Sequence, residues 1–264
     1  MHKCRNNPAF FDSEREVIMK KIIFWLALIV GIIAVIGACK KSDDSTTTTA
    51  AACSSSLSTT PSGTLTGLKT TMGVDNVTGT YNLAWYSSTP TAGCIDNGSA
   101  ISTLISGGWL PSDSLNFKYQ VIVTSNTSFT KLLTYYSDNN SCATVSGYDA
   151  KSYTNFAVGD NITMATAPSG YPTYGTKVSY KTACFMAKGV TDTATAHINA
   201  MSNVSGAVTG TELNKEGSGN TYYNIMALND NHSDTTYDWF YLGPESTSAY
   251  PDNYSSDDSD AMYQ

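Results

Sequence analysis

Residues 114–124 (SLNFKYQVIVT) constrain the fold more tightly than any other stretch. Leu115, Phe117, Tyr119, Val121 and Val123 share one face, while Asn116, Lys118, Gln120 and Thr124 share the other. That period of two belongs to a half-buried strand and not to a helix. Ser125, Asn126 and Thr127 then supply a turn, and residues 129–136 (FTKLLTYY) return as the hairpin partner. The same reading marks strand starts at Gly79, Ser114, Phe129, Tyr153, Ile162, Thr176, Thr221 and Thr236. Gly159, Asp160 and Asn161 lie between two apolar half-strands and read as a hairpin or a bulge. Residues 101–105 read as a short strand or a helical turn, and residues 191–204, capped by Thr191 or Asp192, form the one good helix candidate. The expected class is all-β, with about eight antiparallel strands in an up-and-down barrel, or in a two-sheet sandwich with a crossover helix.

The N-terminal region is of another kind. Lys20 and Lys21 precede an apolar run over residues 22–36, which closes on Gly37 and Ala38 before Cys39. A basic start, an apolar centre and small residues at the cut make a secretory signal. The run lies near the lower length limit for a retained membrane anchor, but the Cys after Gly-Ala and the polar stretch behind it favour cleavage. Asp12, Glu14 and Glu16 fit poorly in a basic n-region, so translation is expected to begin at Met19, with residues 1–18 a start-site extension and 19–38 the signal. Ile36-Gly37-Ala38-Cys39 resembles the lipobox of bacterial lipoproteins. The resemblance implies a diacylglycerol thioether on Cys39, and hence attachment to a lipid bilayer. Lys40 in place of Asp at the next position points to the outer membrane by the enterobacterial sorting rule.

Behind Cys39 the composition excludes several functions. The chain carries ten lysines, nineteen acidic residues and no arginine there, a net charge of −9. Nucleic-acid binding needs clustered Lys and Arg, and the usual fork for phosphate or carboxylate ligands is missing. A ligand would be apolar, neutral or cationic. Residues 39–73 are rich in Ser and Thr and read as a disordered tether, 74–245 as the β domain, and 246–264 as an acidic disordered tail.

Cys53, Cys94, Cys142 and Cys184 form an even set in an exported chain, so two disulfides are expected, with three pairings open. Gly79-Thr80-Tyr81 resembles the Gly-x-Trp opening of lipocalin-like barrels. A first strand, a Cys loop and a hairpin ending in Tyr136-Ser137-Asp138 before Cys142 are similar to a group of small lipocalin-like bacterial lipoproteins. That resemblance implies a Cys94–Cys142 pair, leaving Cys53 for Cys184, and a non-enzymatic binding module.

Motifs for chemistry are sparse. Asp230, His232 and Asp234, with Asp238 nearby, could put ligands for a divalent metal on one side of an extended segment, but the calcium-loop Gly and distal Glu are missing, and a solvated turn is the expected reading. His197 has no nearby nucleophile motif, no serine sits in a Gly-x-Ser-x-Gly context, and no cofactor motif occurs. The expectation is therefore a membrane-anchored, non-enzymatic module for a small apolar or neutral ligand. A structural or adhesive surface protein is the alternative, and a hydrolase comes last. Seventeen tyrosines and four tryptophans offer either a ligand lining or a packed core.

Overall fold

The alternation at residues 114–124 becomes a strand whose inward side chains join the main core. A computed structural model describes residues 53, 57–70, 73–83, 93–139, 142–229, 238–255 and 260–264. Within them lie β1 (Thr64–Lys69), β2 (Val74–Thr78), β3 (Thr80–Leu83), α1 (Gly98–Ser106), β4 (Asn116–Ser125), β5 (Ser128–Tyr136), β6 (Val145–Thr163) and β7 (Tyr174–Gly189). There follow α2 (Asp192–Ala200), β8 (Leu213–Glu216), β9 (Thr221–Asn229), β10 (Trp239–Leu242) and β11 (Asp260–Tyr263).

Strands β3 to β7 are successive antiparallel neighbours, and so are β9, β10 and β11. Because β11 pairs with β3 and β9 pairs with β7, these eight strands close into a ring. The fold is all-β, and the described strands form one continuous sheet instead of two packed ones. Closure leaves the ring strands without a free edge along their paired stretches, which removes the usual route to edge-to-edge association.

The inside of the ring can be read from the pleat. Tyr81, Phe117, Val121, Val123, Phe129, Tyr135, Tyr153, Tyr180, Met226, Phe240 and Met262 come from all eight ring strands and share one buried cluster. Leu115 departs from the expected face: it lies one residue before β4 and is 45% exposed. On the outer surface, Ile122, Leu132, Ala150 and Met186 pack with Leu57. Elsewhere outside, Ile225, Ala227 and Tyr241 pack with Met164 and Tyr254.

Two segments expected to lie outside the domain belong to it. Within the stretch read as a tether, residues 64–69 form β1, and Leu65 and Leu68 are fully buried in the main cluster. An average over Ser and Thr hides two leucines that remove their whole surface from water, each worth about 2 kcal/mol. In the stretch read as a tail, Tyr254, Met262 and Tyr263 are buried, and β11 inserts between β10 and β3 to complete the ring. The strand count also changes in detail, since Tyr153 and Ile162 lie on one long β6 with bulges opposite β7. Trp85 and Tyr86 fall outside the described residues.

Both helices begin on side-chain caps. Asn97 accepts hydrogen bonds from the backbone N–H groups of Ser99 and Ala100 to start α1, which answers the open choice at residues 101–105. Thr191 accepts from the Ala194 N–H to start α2, which is shorter than the span 191–204. Gly147 and Gly189 face each other across β6 and β7, and α2 seats on them. A Cβ on Gly189 would stand 2.5 Å from the Thr195 nitrogen, so only glycine allows the helix so close.

Candidate functional site

Inside the ring, the apolar cluster gives way to a polar one. Lys131 lies on β5 between Phe129 and Leu133 with the same inward direction, so the pleat places its ammonium in the interior. Glu245 follows β10 and meets it, with Nζ to Oε1 at 2.6 Å. The Tyr180 hydroxyl donates to the same Glu245 oxygen at 2.8 Å. Asn224 donates through Nδ2 to the Tyr180 hydroxyl at 3.1 Å and to the Gly243 carbonyl at 2.8 Å. Lys131 Nζ also stands 5.8 Å from the centre of the Tyr153 ring. The aromatic walls interlock, with Tyr153 stacked on Phe129 at 4.8 Å and edge-on to Tyr180 at 5.0 Å.

Two further pairs extend the polar lining. Tyr135 donates to the Asp149 carboxylate, and Tyr119 is hydrogen-bonded to Asp260. Lys151, the direct cross-strand partner of Lys131, faces the same way and is exposed. The Lys131 and Glu245 side chains retain 12% and 26% of their accessible surface, so water reaches the pair inside the ring.

The electrostatics follow from burial and pairing. Burial presses the Lys131 ammonium toward neutrality, but the Glu245 carboxylate beside it outweighs that and holds its pKa above the ordinary value. Burial likewise opposes the Glu245 charge, yet Lys131 and Tyr180 bring its pKa below the usual range. Asp149 behaves oppositely. Burial lifts it to about 6, against the smaller opposing effects of the Tyr135 hydrogen bond and Lys151. Paired with Glu245, Lys131 is held as the ammonium. The arrangement can donate and accept hydrogen bonds toward a small polar molecule.

The candidates from sequence are distributed elsewhere. Cys94 is bonded to Cys142, and Cys53 to Cys184, each pair with Cα atoms 5.8 Å apart; these are the pairings that the lipoprotein resemblance implies. Cys39, Asp230, His232 and Asp234 lie outside the described residues. His197 sits on α2, edge-on to Tyr135 at 5.6 Å. Burial lowers its pKa, and Asp113 partly restores it. Its Nε2 is buried and has no hydrogen-bond partner among the described residues. Among the described residues, no group of three or more His, Cys, Asp or Glu could hold a metal ion, and no helix is long and apolar enough to cross a membrane.

The sequence reading passed over Lys131, although its place between Phe129 and Leu133 on the apolar face of residues 129–136 was a signal that could have found it. Glu245 and Asp260 were hidden because they lie at the end of the expected domain and inside the expected tail. No protein-family model matches the chain, and no curated protein matches it.

Proposed function

We propose that this chain is a bacterial lipoprotein of the outer membrane, anchored through an acylated Cys39, with its ring serving as a lipocalin-like, non-enzymatic module for a small neutral or cationic polar ligand. The observation that carries the binding reading is the Lys131–Glu245 pair inside a closed ring, reached by water and framed by Tyr153, Tyr180 and Asn224. A purely structural ring gains nothing from such a pair, because two buried charges seldom stabilise more than well-packed apolar residues of the same size. The inward charges are Lys131 and Lys151 against Asp149, Glu245 and Asp260, a balance that disfavours anions.

The anchor and the module are closely coupled in this reading. Fourteen residue steps separate Cys39 from Cys53, which is bonded to β7 through Cys184. At full extension they span about 50 Å, so the module stays near the bilayer. The structural or adhesive alternative draws on the apolar packing of Leu65, Leu68 and Val77 in the same cluster as the ring strands. Native mass spectrometry of the full chain extracted from its own envelope separates the two. A retained small molecule that is lost in Lys131→Met/Glu245→Gln supports binding, and consistently bare protein supports the alternative.

A further inference from the structure

A second site lies away from the Lys131–Glu245 pair, where β2, the end of β9 and the start of β10 converge. A cavity of about 60 Å³ opens there between Asp75, Tyr81, Leu228, Asn229, Asp238 and Trp239. Its floor is apolar and aromatic, with Tyr81 only 3% and Leu228 6% exposed, while Asp75 and Asp238 stand exposed at its rim. Tyr81 lines the cavity, and its hydroxyl has no hydrogen-bond partner among the described residues, although the side chain is almost wholly buried. The oxygen is not sealed off: it keeps contact with the cavity between Asp238 and Asp75 and is free to accept a hydrogen bond from a molecule that enters.

We infer that this cavity binds the ammonium head of a small primary amine. The two carboxylates supply charge complementarity, the Tyr81 hydroxyl accepts an N–H, and Trp239 adds an aromatic wall beside them. Room for about four water-sized groups suits an ammonium with a short alkyl stem. A divalent metal is a poorer fit, because two carboxylates and an aromatic floor leave too few oxygens for the six to eight that calcium takes.

The test is a titration of the full chain with n-butylammonium chloride at constant ionic strength, read by the Trp239 indole N–H resonance, with calcium chloride as a parallel probe. The expected result is a saturable shift with n-butylammonium and none with calcium. Asp75→Asn and Asp238→Asn, both at exposed positions, should each weaken binding about fivefold, the scale of one exposed charge pair, and the double variant should abolish it. Glu245→Gln should leave it unchanged, which separates this site from the interior one. A missing shift, unchanged affinity in both aspartate variants, or saturation of the same resonance by calcium would overturn the inference.

Discussion

Replacing Asp149 by Asn should stabilise the protein at neutral pH. The carboxyl is drawn up from 3.8 to about 6, first by burial, so ionising it costs the folded state more than the unfolded one. A folded-state pKa above the unfolded value means that the folded form binds the extra proton between about pH 4 and pH 6. Stability therefore falls as pH rises through that window and stays lower above it. Two units correspond to about 3 kcal/mol at 1.36 kcal/mol per unit, an upper value because the side chain is partly exposed. Asn keeps a carbonyl oxygen for the Tyr135 hydroxyl and carries no charge to desolvate. Urea unfolding of both proteins from pH 4 to pH 8 measures the difference directly. The lowered carboxyls of Glu212 and Glu245 have the opposite pH dependence and cancel when variant is subtracted from wild type. The variant should match wild type near pH 4 and exceed it by 2–3 kcal/mol at pH 7, or about 4–12 °C in Tm. A variant that is less stable at pH 7, or a difference independent of pH, would refute the reasoning.

Lys131→Met alone should cost about 3 kcal/mol in chemical denaturation, because it strands the Glu245 carboxylate. The double variant with Glu245→Gln should recover most of that loss. Removing the Cys53–Cys184 bond by Cys53→Ser/Cys184→Ser should cost about 5 kcal/mol, and removing the Cys94–Cys142 bond about 4 kcal/mol. The loops closed span 131 and 48 residues, and the values follow the chain-entropy relation; thermal melts of the two double variants give that order.

The strands with clean alternation were readable because one face is wholly buried: residues 114–124 and 129–136 sit in β4 and β5 nearly as the pattern predicts. β1 and β11 were not, because each is short and embedded in polar composition. Their burial depends on partners distant in sequence, Ala227 for Lys69 and Leu83 for Met262. The interior pair was missed for the same reason. Lys131 interrupts an apolar face, a cue the strand reading of residues 129–136 did not use, whereas Glu245 gains its meaning only when the chain beyond β10 turns inward. The cavity beside Tyr81 joins residues from β2, β3, β9 and β10, and no local pattern brings those together.

The proposed acylation of Cys39 is the premise of the envelope reading, and intact mass of the protein taken from its own membranes tests it most directly. The account predicts a chain that begins at Cys39, heavier than its sequence by a diacylglycerol and an acyl group, which partitions with membranes and is released by Cys39→Ser. A chain that retains residues 19–38, or one that stays membrane-bound as Cys39→Ser, would contradict it.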